Sequence, residues 1–222
     1  MVTLYSHLVF IHILLFVVWL GTDLGVFILG QHFRRRDYPM DQRLTILKLL
    51  VITDMAPRTA WALMVPVSIS LVAAGGYWAV PAWGIVASWV VGGFWLWLVW
   101  TAFVHDRTPR ATRLRVIEFW LKVALTGFYL GLGGLSLATG GPLADGWLAA
   151  KALLFGVIFA FAIMIDVAFK SLGPALARLV EDGSSDATEG PVLAIMNRTR
   201  FWVVSVYVLL AVAAYLGTTK PF

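Results

Sequence analysis

Cysteine is absent from all 222 residues of this chain. That excludes disulfides, thiolate metal sites, iron–sulfur clusters and covalently attached c-type haem. Charge is scarce as well: 13% of residues are Asp, Glu, Lys or Arg, whereas 60% are hydrophobic, and the mean hydropathy is +0.86. Soluble domains do not have such values; polytopic membrane proteins do. No stretch between apolar runs is large enough to fold as a soluble domain, so residues 1–222 read as a single membrane domain. The first apolar run lacks a basic leader segment and a small-residue cleavage site, so it is expected to be retained. With no cysteine and a Met1-Val2 start, no lipid anchor is expected.

What is present is long apolar segments, at about 7–30, 59–78, 82–104, 116–139, 147–169 and 201–217. Each falls within the roughly 17–25 residues that span a bilayer core. All but Lys122, Lys151 and Lys220 of the 17 lysines and arginines lie in the connections 31–58, 105–115 and 170–200. The positive-inside rule then predicts an all-α bundle of six transmembrane helices, with those three loops cytoplasmic and both termini outside. The net charge of +5 follows from this topology, so nucleic acid is not an expected partner; the lipid bilayer is.

Finer features follow from the same reading. Leu44, Leu47 and Val51 recur on one side of a short interfacial helix that ends where Pro57 opens the second span. The polar run 181–190 predicts a flexible turn. Gly127 and Gly131 form a GxxxG of the kind that brings membrane helices together. Trp78, Trp83 and Trp147 fall at outer boundaries as interfacial anchors, and Trp89, Trp95, Trp97 and Trp100 are placed facing lipid.

Ionisable groups inside the apolar runs cost about 2.5–3.5 kcal/mol each on insertion scales, so they usually face a site. His12 lies about two turns into the first span, with Trp19 and Asp23 at i+7 and i+11 on the same helix face. Lys151 sits at matching depth in the fifth span. Either His12 and Lys151 line one cavity, or His12 bonds a neighbouring helix and Lys151 snorkels to the surface. Asp23, Arg58 and Asp166 fall together toward the cytoplasmic side. Glu118 and Lys122 form an i,i+4 ion pair that reads as structural.

An imidazole in a helical bundle suits b-type haem, which needs no cysteine. His7 and His12 share one helix, so a bis-histidine site is disfavoured; Lys151, Met64 or Met164 are the candidate second ligands. Copper is less well served, because His7 and His12 point about 140° apart at their i,i+5 spacing. No broken helices or internal repeat mark a transporter site.

The run His12 to Gly21, with Trp19 seven residues after the histidine, resembles the first helix of HemJ-type protoporphyrinogen oxidases and the wider CopD-like membrane proteins. Trp147 to Lys151 is similar to that family's Trp-x-x-x-Lys, Met196-Asn197 to its Phe-Asn before the last span, and Lys220-Pro221-Phe222 to its C-terminal end. The resemblance implies that His12 is the haem iron ligand and Lys151 a required lysine at the porphyrin site, with Trp19 beside it. It also implies a bacterial inner-membrane location and electron transfer from a porphyrinogen-type substrate toward a quinone or respiratory-chain acceptor. Two departures stand out: the family looks four-spanned, whereas this chain adds 82–139, and a later histidine on the lysine-bearing helix is replaced by the Met164 and Asp166 region. The expectation is therefore a haem b oxidoreductase or electron-transfer component, possible as a homo-oligomer. The alternatives are a CopD-like copper- or metal-handling permease and a non-catalytic small subunit of a membrane complex.

Overall fold

A computed structural model describes residues 3–222. The described chain is helical throughout its length, in the order α1 (Leu4–Phe33), α2 (Met40–Thr53), α3 (Met55–Ala74), α4 (Ala82–Val104), α5 (Pro109–Thr139), α6 (Gly146–Phe169), α7 (Leu172–Asp182) and α8 (Asp186–Thr219). Six helical stretches are long and apolar enough to cross a membrane, contributed by α1, α3, α4, α5, α6 and α8. The protein is a multi-pass, all-α membrane protein, as the apolar runs predict.

The helix starts are written locally. Thr3 caps α1 by accepting from the Ser6 amide, and Thr108 caps α5 ahead of Pro109 by accepting from the Ala111 amide. Ser185 and Thr188 form a reciprocal capping box on α8, which satisfies amides that a helix start leaves unpaired. The expected interfacial helix is α2, and only Asp54 separates it from α3.

The six spans pack as a ring in the order α1, α3, α4, α5, α6, α8, tightest between α5 and α6 and closed only loosely between α8 and α1. The centre of the ring is aromatic. Trp19 stacks on Trp61 with centroids 5.5 Å apart, and Trp61 meets Trp95 at 4.8 Å and Phe159 at 4.7 Å. Tyr129 and Phe155 extend the cluster at 4.8 Å from each other.

Several expectations are corrected by this packing. Trp95 is buried, not lipid-facing, because it shares its helix face with Gly92 and Ala102, whose small side chains let α4 close on its neighbours; Trp89, Trp97 and Trp100 are exposed as expected. Trp147 is also buried, edge-on to Tyr77 at 5.4 Å, rather than anchoring at a lipid surface, whereas Trp83 is exposed. Gly127 and Gly131 face open space. The close approach of α5 and α6 is made instead by Gly133, where a Cβ would lie 2.7 Å from the Leu153 Cα, and by Gly156, where it would lie 2.8 Å from the Leu130 amide nitrogen.

The run 181–190 is not a loose turn. It ends α7 and starts α8, and Glu189 within it is fully buried against Arg43 of α2. The Arg43 guanidinium donates to both Glu189 carboxylate oxygens, at 2.5 and 3.1 Å, and to the Phe33 carbonyl at 2.9 Å; Ser184 donates to Glu189 at 2.8 Å. Phe33, Leu179, Val192 and Met196 form a small core around this pair. The last span is thus the C-terminal part of a helix that begins at Asp186.

Candidate functional site

Two sets of ionisable groups lie inside the bundle, one on each side of the aromatic centre. The first is built by α1, α3, α6 and α8. His12 is half-buried on α1, and its Nδ1 lies 3.4 Å from the Ser68 hydroxyl of α3. The ring is therefore turned inward, across to a neighbouring span. The other three histidines are satisfied locally: His7 and His105 by carbonyls four residues earlier, His32 by the Tyr38 hydroxyl at 3.0 Å.

Lys151, half-buried on α6, lays its ammonium against Gly217 of α8. No carboxylate among the described residues lies within ion-pair distance of it, in contrast to Lys122. Above this level, Lys220 donates to the Tyr77 hydroxyl at 2.5 Å, a bond that raises the lysine's pKa above its ordinary value. Its ammonium also sits over the Tyr77 and Trp147 rings at 4.7 and 5.3 Å. This end of the bundle therefore combines two lysines and an imidazole with aromatic walls.

Trp19 is placed one step deeper. It is buried in the aromatic centre and forms the floor between the two polar levels, as its stack on Trp61 requires. Met64, on α3 one turn from Ser68, is buried in the same core, and Met164 is half-buried on α6. Two polar atoms in this floor, the Trp61 indole nitrogen and the Tyr129 hydroxyl, are buried without a hydrogen-bond partner among the described residues.

The second set lies below the floor. Lys122 of α5 bridges Glu118, 2.9 Å away on its own helix, and Asp166 of α6, also at 2.9 Å. The Trp95 indole N–H donates to Glu118 at 3.3 Å, and the Lys122 ammonium lies 5.4 Å from the Trp61 ring centre. Arg58 of α3 pairs with Asp54 at 2.5 Å, and its charge reaches Asp166 and Glu118. Asp23 of α1 feels both Asp54 and Arg58, and its backbone carbonyl accepts from the Tyr207 hydroxyl of α8 at 2.8 Å.

Of the three carboxylate and guanidinium groups read together in the sequence, Asp166 joins Lys122, Arg58 pairs with Asp54, and Asp23 meets α8 through its backbone carbonyl; no direct contact joins the three among the described residues. Lys122, read there as half of a local pair, is the hub that joins two helices. Asp54 was not singled out, because it looks like a loop residue between two helices. Ser68 and Gly217 were missed too; small and weakly polar, they carry no signal except their register with His12 and Lys151.

The outer level offers one inward imidazole and one lysine without a carboxylate. By donor chemistry alone, an imidazole nitrogen can ligate a metal and an ammonium can pair with a carboxylate. This donor set does not suit a bare metal ion, since no three His, Cys, Asp or Glu side chains converge among the described residues. The loosely closed α1–α8 seam flanks this level. Comparison with known proteins returns no matching family model, curated protein or solved structure.

Proposed function

We propose that this chain is a b-type haem protein of a bacterial inner membrane, acting as an oxidoreductase or electron-transfer component. The observation that carries the reading is the His12 imidazole turned in to Ser68 of α3, at the same end of the bundle as Lys151, a lysine with no carboxylate within ion-pair distance among the described residues. A lipid-facing histidine would not have Ser68 within reach, and the cost of placing polar groups in a bilayer argues that an inward imidazole and a lysine at one end of the bundle serve a ligand.

In this reading His12 supplies the iron ligand. Lys151 holds a propionate, serves as second ligand or positions a substrate, and Lys220 adds positive charge at the mouth. When bound, the haem supplies one-electron chemistry. The chain's own residues do the rest. Trp19, Trp61, Phe155 and Phe159 exclude water beneath the site, and the Ser68 hydroxyl orients the imidazole through Nδ1. Asp23, Arg58, Lys122, Glu118 and Asp166 place exchangeable protons on four helices toward the opposite face. A quinone or another respiratory-chain component is the acceptor consistent with a membrane-embedded donor.

The test is the reduced-minus-oxidised absorption spectrum of the purified protein. Lys151→Ala is expected to shift or weaken the Soret band more than Lys122→Ala does. Equal and negligible effects would return Lys151 to a structural role. A colourless protein that binds copper would favour the metal-handling alternative; one that binds neither and co-purifies with a larger complex would favour a subunit role.

A further inference from the structure

A groove of about 600 Å³ runs along the outside of α8 where it meets α6, near the basic end of the bundle. Its wall is apolar, formed by Phe161 of α6 and by Phe201, Val204 and Val208 of α8, and its lower end is closed by Asn197 and Arg200. Arg34, at the end of α1, reaches across and donates to the Asn197 side-chain carbonyl and, at 3.0 Å, to Gln31. Arg34 and Arg200 meet at Asn197: Arg34 bonds its side chain, and Arg200 lines the same end of the groove with it. Neither has a carboxylate within ion-pair distance among the described residues, although Arg35, Arg36, Arg43, Arg58 and Arg115 all do.

Two guanidiniums without a carboxylate, one lining the foot of an apolar groove and the other bonded to Asn197 beside it, call for an anion with a hydrocarbon tail. We infer that this groove is a binding site for an anionic phospholipid, whose phosphate is held by Arg34, Arg200 and Asn197 and whose acyl chain lies along Phe161, Phe201, Val204 and Val208. Charge complementarity decides for an acidic lipid over a neutral one. Guanidinium groups pair well with phosphate oxygens, and basic pockets at helix ends recruit acidic headgroups. The site is separate from the His12 level and does not depend on its cofactor.

The full chain, purified in an uncharged detergent, is titrated with phosphatidylglycerol, with phosphatidylcholine and inorganic phosphate as parallel arms. Thermal stability and the phospholipid retained after repurification are read in each arm. Phosphatidylglycerol is expected to raise Tm and to be retained, while the other two have little effect. Arg200→Gln should weaken the apparent phosphatidylglycerol affinity by about fivefold, the effect of one basic residue near an acidic headgroup. Val204→Trp, which fills the groove without touching its charges, should abolish retention. Equal stabilisation by phosphatidylcholine, an unchanged titration in Arg200→Gln, retention that survives Val204→Trp, or phosphate alone matching the lipid would each overturn the assignment.

Discussion

Arg43 and Glu189 sit at 1% and 0% exposure, joined by two hydrogen bonds outside the apolar spans. Removing one partner of such a pair strands the other charge, which costs about 3–5 kcal/mol, whereas replacing both with apolar groups is often neutral. Arg43→Met should therefore lower the melting temperature sharply, and Arg43→Met combined with Glu189→Leu should recover most of the loss, as read by thermal unfolding in detergent. The sequence does not reveal this pair. Glu189 lies in a run of Ser, Gly and Asp that reads as a turn, and only the Ser185–Thr188 cap shows that a helix begins there. His12 is the opposite case. Its i+7 and i+11 companions identify the inward face directly, because Trp19 on that face is buried and a helix turns every residue at those intervals toward the same neighbour.

Helix existence was legible and helix pairing was not. Apolar length alone marks six spans, because a bilayer core imposes that length. Which glycines carry the contacts depends on the rotation of each helix, and a GxxxG pattern cannot report it. Gly127 and Gly131 face open space, while Gly133 meets the backbone of α6. Gly133→Ala should force α5 and α6 apart, at about 1–3 kcal/mol for overpacking a tight contact. Gly127→Ala should be neutral or stabilising, by up to about 1 kcal/mol, because alanine is the better helix former. Unfolding of the two variants side by side measures the difference; equal losses would mean that α5 and α6 do not meet at Gly133. Trp95 teaches the same point: it is buried, whereas Trp89, also three residues from Gly92, is exposed.

At the scale of the whole molecule, the three basic connections share one end of the bundle and the connections at 75–81 and 140–145 share the other. The positive-inside rule assigns the basic end to the cytoplasm. The absence of cysteine makes this directly testable with single reporters at exposed positions. Ala144→Cys should react with a membrane-impermeant maleimide in intact spheroplasts, and Ala187→Cys only after permeabilisation. The reverse pattern would invert the bundle and put the His12 level at the inner leaflet. In either orientation the architecture is the same: an aromatic floor separates the imidazole–lysine level from a set of six charged groups, Asp23, Asp54, Arg58, Glu118, Lys122 and Asp166. A cofactor held above that floor would be shielded from the charges below it by tryptophan and phenylalanine side chains.

The most direct test is a pyridine haemochrome assay on the purified chain and on His12→Ala. Near-stoichiometric haem b in the native chain, lost when the imidazole is removed while the protein still folds, is the predicted result. Native protein without haem, or a variant that keeps its full complement, would contradict the assignment of His12.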